Sequence, residues 1–243
     1  MLIKAALNGG RTRADHPAIP ITPDELAASA KESVTAGAGA IHFHVRGRDG
    51  RESLEPEHVS RALTAVREAA PRTPVGVSTG AWILRDAKLR HETISRWKIL
   101  PDFASVNFNE DGALPLAELL LSLGVPIEAG LSDVKGTEVF VKSGLAPRCL
   151  RILVEALGQE KPAALKTVED IVGSLDQASI LLPRVLHGSD RLAWELIDEA
   201  AARGYDTRVG LEDILTLPDG NPAPNNGALV AEAARRMNER QAR

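Results

Sequence analysis

The sequence predicts a (β/α)8 barrel that forms one domain over residues 1–243. Short apolar runs, several rich in β-branched residues, alternate with amphipathic segments of helical period along the whole chain. Eight such pairs are present, and 243 residues is a common length for an undivided barrel. A doubly wound open sheet is the alternative, because periodicity alone does not show whether a sheet closes on itself.

Each predicted strand is followed by a predicted helix. The first helix illustrates the signals: Thr22 is a predicted N-cap, Pro23 occupies the first turn, and Glu25 completes a capping box. Gly37 is predicted to end that helix. The eight predicted strands are Leu2 to Leu7, Ala40 to Arg46, Val75 to Thr79, Phe103 to Phe108, Val125 to Ala129, Cys149 to Glu155, Arg184 to His187 and Thr207 to Glu212.

The composition excludes several functional classes. Hydrophobic residues make up 44% of the chain and charged residues 26%, with a formal net charge of −4. This balance is typical of a globular protein, and the overall charge favours neither nucleic acid nor an anionic membrane as a partner. The lone Cys149 cannot form an internal disulfide, and Met1 to Lys4 show no signal-peptide pattern. We therefore expect a cytoplasmic protein with small-molecule ligands.

The second predicted strand carries two histidines on one face. In Ala40 to Arg46, a period of two places His42, His44 and Arg46 on one side and apolar residues on the other. Imidazoles two residues apart on one strand can reach a common metal ion, and neutral nitrogen ligands suit zinc. The alternative is a pair of core histidines satisfied by hydrogen bonds.

The eighth predicted strand supplies a third ligand. Arg208, Gly210 and Glu212 share one face, and a buried glutamate is costly unless it meets a cation or a hydrogen-bond donor. We predict that Glu212 completes a zinc site with the two histidines; an ion pair with Arg208 is the alternative. Gly210 is expected to leave space beside the pocket, and Asp213 to be free to act as a base.

Polar residues also stand at the ends of the other predicted strands. In a barrel these ends meet at one mouth, which is where barrel enzymes place their active sites. For Asn109, Glu155 and His187 we favour a role as turn or cap residues. The remaining polar residues at the strand ends are Asn8, Ser78, Thr79, Asn107 and Glu128.

Several motifs together resemble the β-keto acid cleavage enzymes, a family of zinc-dependent barrels. The resemblance runs in order from the first strand to Asn225, essentially the whole chain. The residues that carry it are Arg11-Thr12-Arg13-Ala14-Asp15-His16-Pro17, Ile21-Thr22-Pro23, Ile41-His42-Phe43-His44-Val45-Arg46, Val77-Ser78-Thr79-Gly80 and Arg208-Val209-Gly210-Leu211-Glu212-Asp213.

The resemblance implies an enzyme that condenses a β-keto acid with acetyl-CoA and releases acetoacetate and a new acyl-CoA by a retro-Claisen step. His42, His44 and Glu212 match the family's zinc ligands. Arg208 and Asp213 match its catalytic dyad. The family also implies a homo-oligomer, a tetramer or a dimer. Ser78 matches a serine that contacts the substrate in the family. The residues that we predict to bind substrate are Arg11, Ser78, Thr79, Gly80, Asn107 and Glu128.

Arg11 departs from the family pattern, since relatives often carry Gly-Ala-Glu where this chain has Gly9-Gly10-Arg11. Our hypothesis is that Arg11 selects a keto acid with a second carboxylate or another anionic or polar tail. The alternative is that Arg11 faces solvent or the phosphates of CoA. Asn107 also departs, because relatives tend to have small or hydroxyl residues there.

Competing functions remain open at the level of sequence. An aldolase or an amidohydrolase is also a zinc-dependent barrel enzyme, but amidohydrolases place their His-x-His pair on the first strand. A barrel that only binds a ligand would leave the convergence of Arg208, Glu212 and Asp213 without an explanation. The sequence contains neither a P-loop nor a Gly-x-Ser-x-Gly elbow.

Overall fold

The computed structural model describes residues 1–158 and 160–241, and its eight parallel strands form a closed barrel. Each strand pairs with the next along the chain, and the eighth returns to pair with the first through Lys4 and Arg208. This closure confirms the predicted fold and excludes the open sheet. The strands are β1 (Ile3–Ala6), β2 (Ala40–Phe43), β3 (Val75–Ser78), β4 (Phe103–Asn107), β5 (Ile127–Leu131), β6 (Cys149–Ala156), β7 (Arg184–Gly188) and β8 (Asp206–Val209).

Helices surround the barrel and bury their apolar stripes against the outer faces of the strands. The predicted capping box at Thr22 and Glu25 is confirmed, and Gly37 follows the helix with a positive φ of 112°. No helix in the described ranges is long and apolar enough to span a bilayer. The helices are α1 (Pro23–Thr35), α2 (Pro56–Ala69), α3 (Ala87–Ile94), α4 (Ala113–Ser122), α5 (Val134–Ser143), α6 (Lys161–Gln177), α7 (Ala193–Arg203) and α8 (Asn226–Gln241).

The barrel interior holds a buried cluster of charged side chains. Lys4 on β1 donates to both carboxylate oxygens of Glu128 on β5, which lies on the opposite side of the barrel. Arg151 on β6 also donates to Glu128, and its guanidinium lies 4.9 Å from the centre of the Phe103 ring. Lys4 and Glu128 are fully buried. This group, which we call the floor cluster, fills the interior towards the N-terminal ends of the strands.

Three strands differ from the sequence prediction in ways that affect the site. β5 begins at Ile127, two residues later than predicted, because Pro126 has no backbone N–H to donate to the sheet. Glu128 is therefore the second residue of its strand and lies near its base. β2 ends at Phe43 and β8 at Val209, both shorter than predicted. His44 and Glu212 consequently lie just beyond their strands.

Candidate active site

Three side chains with metal-ligand atoms converge at the C-terminal mouth of the barrel. His42 projects from β2, His44 follows that strand, and Glu212 lies in the turn after β8. His42 Nε2 is 3.7 Å from Glu212 Oε2, and His44 Nε2 is 3.3 Å from Glu212 Oε1. One ligand atom from each residue can be chosen so that all three lie within 4.8 Å of one another.

The turn that carries Glu212 is held tightly against β1. Backbone bonds from Asp213 and Ile214 to the Gly210 carbonyl close the turn. A Cβ on Gly210 would lie 1.9 Å from the carbonyl oxygen of Ala6, so this glycine permits close backbone approach. The expectation that Gly210 leaves space beside the pocket is therefore wrong. The prediction that Glu212 belongs to a regular strand is also wrong, although the turn brings it to the histidines.

Two further residues fix the position of the Glu212 turn. The fully buried Asn226 accepts a hydrogen bond from Leu211 N at 2.7 Å and donates to the Leu7 carbonyl at 2.9 Å. Gly9 has a φ of +54°, and a Cβ there would meet the Glu212 side chain at 2.3 Å. The Glu212 carboxylate is thus directed into the barrel mouth by contacts on both sides.

The three side chains have the chemistry of a divalent-metal site. Glu212 Oε2 is buried and has no hydrogen-bond partner within the described residues. Burial lowers the pKa of His42 well below its usual value; Glu212 opposes this effect, and Arg208 and Lys4 add to it. The ring is therefore neutral, which is the state that coordinates metals. Two imidazoles and one carboxylate, with further positions left for substrate, fit a catalytic zinc site.

His44 is held by groups that lie outside this set of three ligands. Asn8 exchanges two hydrogen bonds with the His44 backbone, at 2.8 and 2.9 Å. Glu52 Oε1 lies 2.5 Å from His44 Nδ1, and the indole N–H of Trp82 donates to the same carboxylate. The Trp82 ring also stacks on His44, with centroids 5.9 Å apart. A carboxylate behind a metal-binding imidazole orients the ring and makes it a stronger ligand.

Sequence reasoning did not identify Glu52 or Trp82. Glu52 reaches the site because the segment from Arg46 to Glu52 folds back as an antiparallel bridge after β2. The Asp49-Gly50 pair within that segment is a turn signal that could have indicated this return. Burial disfavours the charged form of His44, but the carboxylates of Glu212 and Glu52 outweigh it and raise the His44 pKa to about 9.

Arg208 binds Asp213 through two hydrogen bonds. Its Nη2 lies 2.6 Å from Oδ1 and its Nε lies 3.1 Å from Oδ2, while Nη2 also contacts Glu212 Oε1 at 2.6 Å. Burial opposes charge on Arg208, but Asp213 and Glu212 outweigh it and raise the Arg208 pKa. The expectation from the sequence that Asp213 stands free is therefore wrong. Asp213 is held by Arg208, a cation that also contacts the candidate metal ligand Glu212.

His187 and Glu155 extend this polar group across the mouth. They are register partners on β7 and β6, and His187 Nε2 lies 3.2 Å from Glu155 Oε2. His187 Nδ1 lies 3.5 Å from Asp213 Oδ1. The interpretation of His187 and Glu155 as turn or cap residues is wrong, since both lie on strands and point into the site.

Arg11 lies at the rim and contacts the backbone of the Glu212 turn. Its Nε donates to the Glu212 carbonyl at 3.0 Å, and its Nη2 donates to Asp190 Oδ1 at 2.7 Å. Asp190 has a positive φ of 50°, and its own N–H donates to the Asp213 carbonyl at 2.7 Å. Arg11 is thus partly buried against the turn, with its side chain 23% exposed.

The predicted substrate-binding residues fall into two groups. Ser78, Thr79 and Gly80 follow one another at the end of β3, and Asn107 ends β4, so all four lie at the mouth. Asn107 Nδ2 donates to Glu110 at 2.8 Å. Glu128 does not join them, because its strand begins later than predicted and both of its oxygens are engaged in the floor cluster. The prediction that Glu128 binds substrate is not supported by this fully buried position.

The mouth of this closed (β/α)8 barrel carries two histidines, a glutamate and an arginine–aspartate pair. This combination defines a class of enzyme with a candidate divalent-metal centre. Comparison with known proteins assigns the chain within that class. The sequence profile of the beta-keto acid cleavage enzymes matches residues 1–243. The chain belongs to this family, as the sequence motifs predicted.

Curated relatives match nearly the full chain. A 3-keto-5-aminohexanoate cleavage enzyme from Fusobacterium nucleatum subsp. nucleatum is 26% identical over 98% of this chain and 92% of its own length. A 3-oxoadipate:acetyl-CoA acetyltransferase from Cupriavidus necator is 29% identical over 96% of this chain and 87% of its own length. These relatives act on β-keto acids, and the second is named for acetyl-CoA.

Solved structures show the same fold. ObcA in a ternary complex with a C4-CoA adduct and oxalate superposes with a TM-score of 0.76 at 17% identity, covering 93% of this chain. The apo structure of ObcA gives a TM-score of 0.71 at 18% identity, again over 93% of this chain. The chain spans 65% and 63% of those two chains, respectively. At this identity the likeness concerns the fold alone.

Proposed function

We propose that this protein is a metal-dependent β-keto acid cleavage enzyme that converts a β-keto acid and acetyl-CoA into acetoacetate and a new acyl-CoA. The observation that carries the proposal is the convergence of His42, His44 and Glu212 beside the Arg208–Asp213 pair at one barrel mouth. Membership of the family and the acetyl-CoA-dependent relative support the same reaction. The proposal includes the cytoplasmic homo-oligomer, tetramer or dimer, that the resemblance implies.

His42, His44 and Glu212 would hold the metal, and zinc is the ion that best suits two imidazoles and a carboxylate. When bound, the metal would supply Lewis-acid polarisation of the substrate's keto oxygen, which lowers the cost of removing a proton from C2. Glu52 and Asn8 fix the orientation of His44, so the ligand set is organised before the ion arrives.

Asp213 would remove the C2 proton, and Arg208 orients its carboxylate through two hydrogen bonds. The C2 carbon would then attack the thioester carbonyl of acetyl-CoA, and the CoA thiolate would leave. The thiolate would next attack the original keto carbon, the adjacent C–C bond would break, and C2 would recover a proton to give acetoacetate. Ser78, Thr79, Gly80 and Asn107 line the mouth where the substrate would lie.

Arg11 favours a substrate with an anionic tail. Its bonds to Glu212 and Asp190 use Nε and Nη2, and within residues 1–158 and 160–241 no partner contacts Nη1. A guanidinium edge at the rim can pair with a second carboxylate. The Cupriavidus necator relative is named for 3-oxoadipate, a dicarboxylic keto acid, and supports this class of substrate.

The proposed reaction is tested by measuring acetoacetate formation from a panel of β-keto acids with zinc-loaded protein, with and without acetyl-CoA. We expect turnover that requires acetyl-CoA, is lost after removal of zinc with a chelator, and returns when zinc is restored. Asp213→Asn is the matched inactive control, because it keeps the shape of the site. If no keto acid in the panel yields acetoacetate, the proposal is overturned.

A further inference from the structure

His187 stands between two carboxylates in the barrel mouth, and the reaction described above does not use it. Its Nε2 lies 3.2 Å from Glu155 Oε2, and its Nδ1 lies 3.5 Å from Asp213 Oδ1. The residue is 1% exposed and Asp213 is 2% exposed, so water has little access to either group. The three side chains thus form a chain of proton-carrying groups that ends at the proposed base.

The two contacts of His187 differ in kind. A carboxylate oxygen accepts hydrogen bonds, so the contact with Glu155 places the ring proton on Nε2. Nδ1 then presents a lone pair to Asp213, and it has no hydrogen-bond partner within the described residues. Two acceptors that face each other at 3.5 Å leave a position for one additional proton between them. A proton taken up by Asp213 Oδ1 would fill that position.

Arg208 creates the need for such a second acceptor. It donates to both oxygens of Asp213, and its Nη2 already contacts Oδ1 at 2.6 Å. A base held in this way is well oriented, but a proton taken up by Oδ1 would lie beside an Arg208 N–H and would need an acceptor of its own. An imidazole lone pair next to Oδ1 meets this need, because it accepts a hydrogen bond from the protonated form only.

We propose that His187, oriented by Glu155, is a positioning residue that receives and stores the proton removed by Asp213; the inference rests on the proposed function of the site. The C2–H bond of the keto acid breaks and its proton joins Asp213 Oδ1. The proton then passes to His187 Nδ1, and the imidazolium is stabilised by Glu155. We call this path from Asp213 to His187 the relay. After CoA transfer and C–C cleavage, the same path returns the proton to C2 of acetoacetate, so the cycle is neutral in protons.

Hydrogen exchange at C2 of the substrate isolates the step in which His187 acts. Zinc-loaded enzyme is incubated with a reactive keto acid in D2O without acetyl-CoA, and deuterium uptake above the uncatalysed rate is followed by NMR. His187→Gln keeps a donor for Glu155 but has no basic nitrogen. We expect it to slow both exchange and kcat by about 10- to 100-fold, with KM and zinc content close to those of wild type.

Two further variants complete the experiment, one as a second test of His187 and one as a control. His187→Asn tests the same loss with a shorter side chain in case the glutamine variant misfolds. His91→Gln, a substitution of a histidine on α3 away from the mouth, should leave exchange and turnover at the wild-type level. If the wild-type enzyme makes acetoacetate and His187→Gln exchanges C2 protons at the wild-type rate, the relay is wrong. If the wild-type enzyme makes none, the proposed function itself has failed.

The ring tautomer gives a test that does not depend on activity. In histidine-labelled protein, ¹⁵N NMR distinguishes a ring protonated at Nε2 from one protonated at Nδ1, and the His187 signals are assigned by their loss in His187→Gln. We expect the neutral ring to carry its proton on Nε2 in the wild type, and Glu155→Gln to weaken that preference. A neutral ring protonated at Nδ1 would contradict the relay.

Discussion

Arg208 donates to both oxygens of Asp213 from two different nitrogens, Nη2 to Oδ1 at 2.6 Å and Nε to Oδ2 at 3.1 Å. This arrangement requires the planar, forked guanidinium, because an ammonium is a point charge that cannot span two oxygens in fixed geometry. The same Nη2 contacts Glu212 Oε1 at 2.6 Å, so one side chain aligns the proposed base and a candidate metal ligand.

Replacing Arg208 by lysine is therefore expected to be far from conservative. Arg208→Lys should lower kcat/KM for acetoacetate formation by about 100-fold, because Asp213 loses its bidentate partner. Arg235→Lys is the matched control, since Arg235 also binds two carboxylates but on an exposed face of α8. It should leave kcat/KM unchanged. Equal kcat/KM for wild type and Arg208→Lys would show that bidentate orientation of Asp213 is unimportant.

Metal affinity should depend on Glu52, which lies behind His44 and binds no metal itself in the proposed site. Glu52→Gln weakens the hydrogen bond that orients the imidazole and removes a nearby negative charge. We expect zinc affinity to fall by about 10- to 100-fold, measured by competition with a chelating dye. Glu57→Gln, which changes an exposed glutamate on α2, is the control. An unchanged zinc affinity in Glu52→Gln would exclude Glu52 from support of the metal site.

The three candidate metal ligands were all predicted from the sequence, but the basis of the prediction holds for the two histidines better than for Glu212. His42 and His44 follow from the period-two pattern of a single strand, which is local information. Glu212 was reached through a strand that in fact ends at Val209, and it is the turn after β8 that directs its side chain. The turn depends on Asn226 and on the contact of Gly210 with β1, which are far apart in sequence. Periodicity carries no information about such contacts.

The floor cluster and the relay show the same limit. Lys4 and Glu128 belong to strands on opposite sides of the barrel, and their pairing follows only from closure and register. A two-residue error in the start of β5 was enough to move Glu128 from the floor to the mouth in the prediction. The role of His187 likewise depends on its register with Glu155 and its distance from Asp213.

Gly210 should tolerate no side chain, because a Cβ there would lie 1.9 Å from the backbone of Ala6. We expect Gly210→Ala to destabilise the protein by about 2–3 kcal/mol and to reduce zinc binding by moving the Glu212 turn. Gly173→Ala is the control, since Gly173 lies in α6 and an added Cβ would meet nothing within 4 Å. It should stabilise the protein by about 0.5–1 kcal/mol. Chemical denaturation measures both; similar midpoints for the two variants would contradict the close packing of Gly210.

Lys4 should make stability depend on pH in the alkaline range. Burial lowers the Lys4 pKa from 10.5 to about 8, although Glu128 opposes this. Between these values the unfolded chain keeps a proton that the native protein has lost, so stability from this site rises with pH. Across this range the contribution of Lys4 to the free energy of unfolding changes by about 3 kcal/mol. This stabilisation is fully present above about pH 10.5 and is lost as the pH falls through 8.

The comparison with Lys4→Met isolates this contribution. The unfolding free energy of wild type minus that of Lys4→Met should increase from pH 8 to pH 10.5. An exposed lysine on the loop before β4 provides the control: the stability curve of Lys98→Met should run parallel to that of wild type. If the wild-type and Lys4→Met curves are parallel as well, Lys4 does not lose its proton in the native protein in this range.

Arg11 should determine which keto acids react. Arg11→Gln removes the charge at the rim and also weakens the bond to the Glu212 carbonyl, so some loss of kcat/KM is expected for every substrate. A dicarboxylic keto acid should lose about 10-fold more than a neutral one of the same length, because only the former pairs with the guanidinium. Arg13→Gln is the matched control, since Arg13 is two residues away, more exposed and paired with Glu25. The measured quantity is the ratio of kcat/KM for the two substrates. An unchanged ratio in Arg11→Gln would show that Arg11 acts only by holding the Glu212 turn, and the anionic-tail proposal would be withdrawn while the cleavage reaction itself stands.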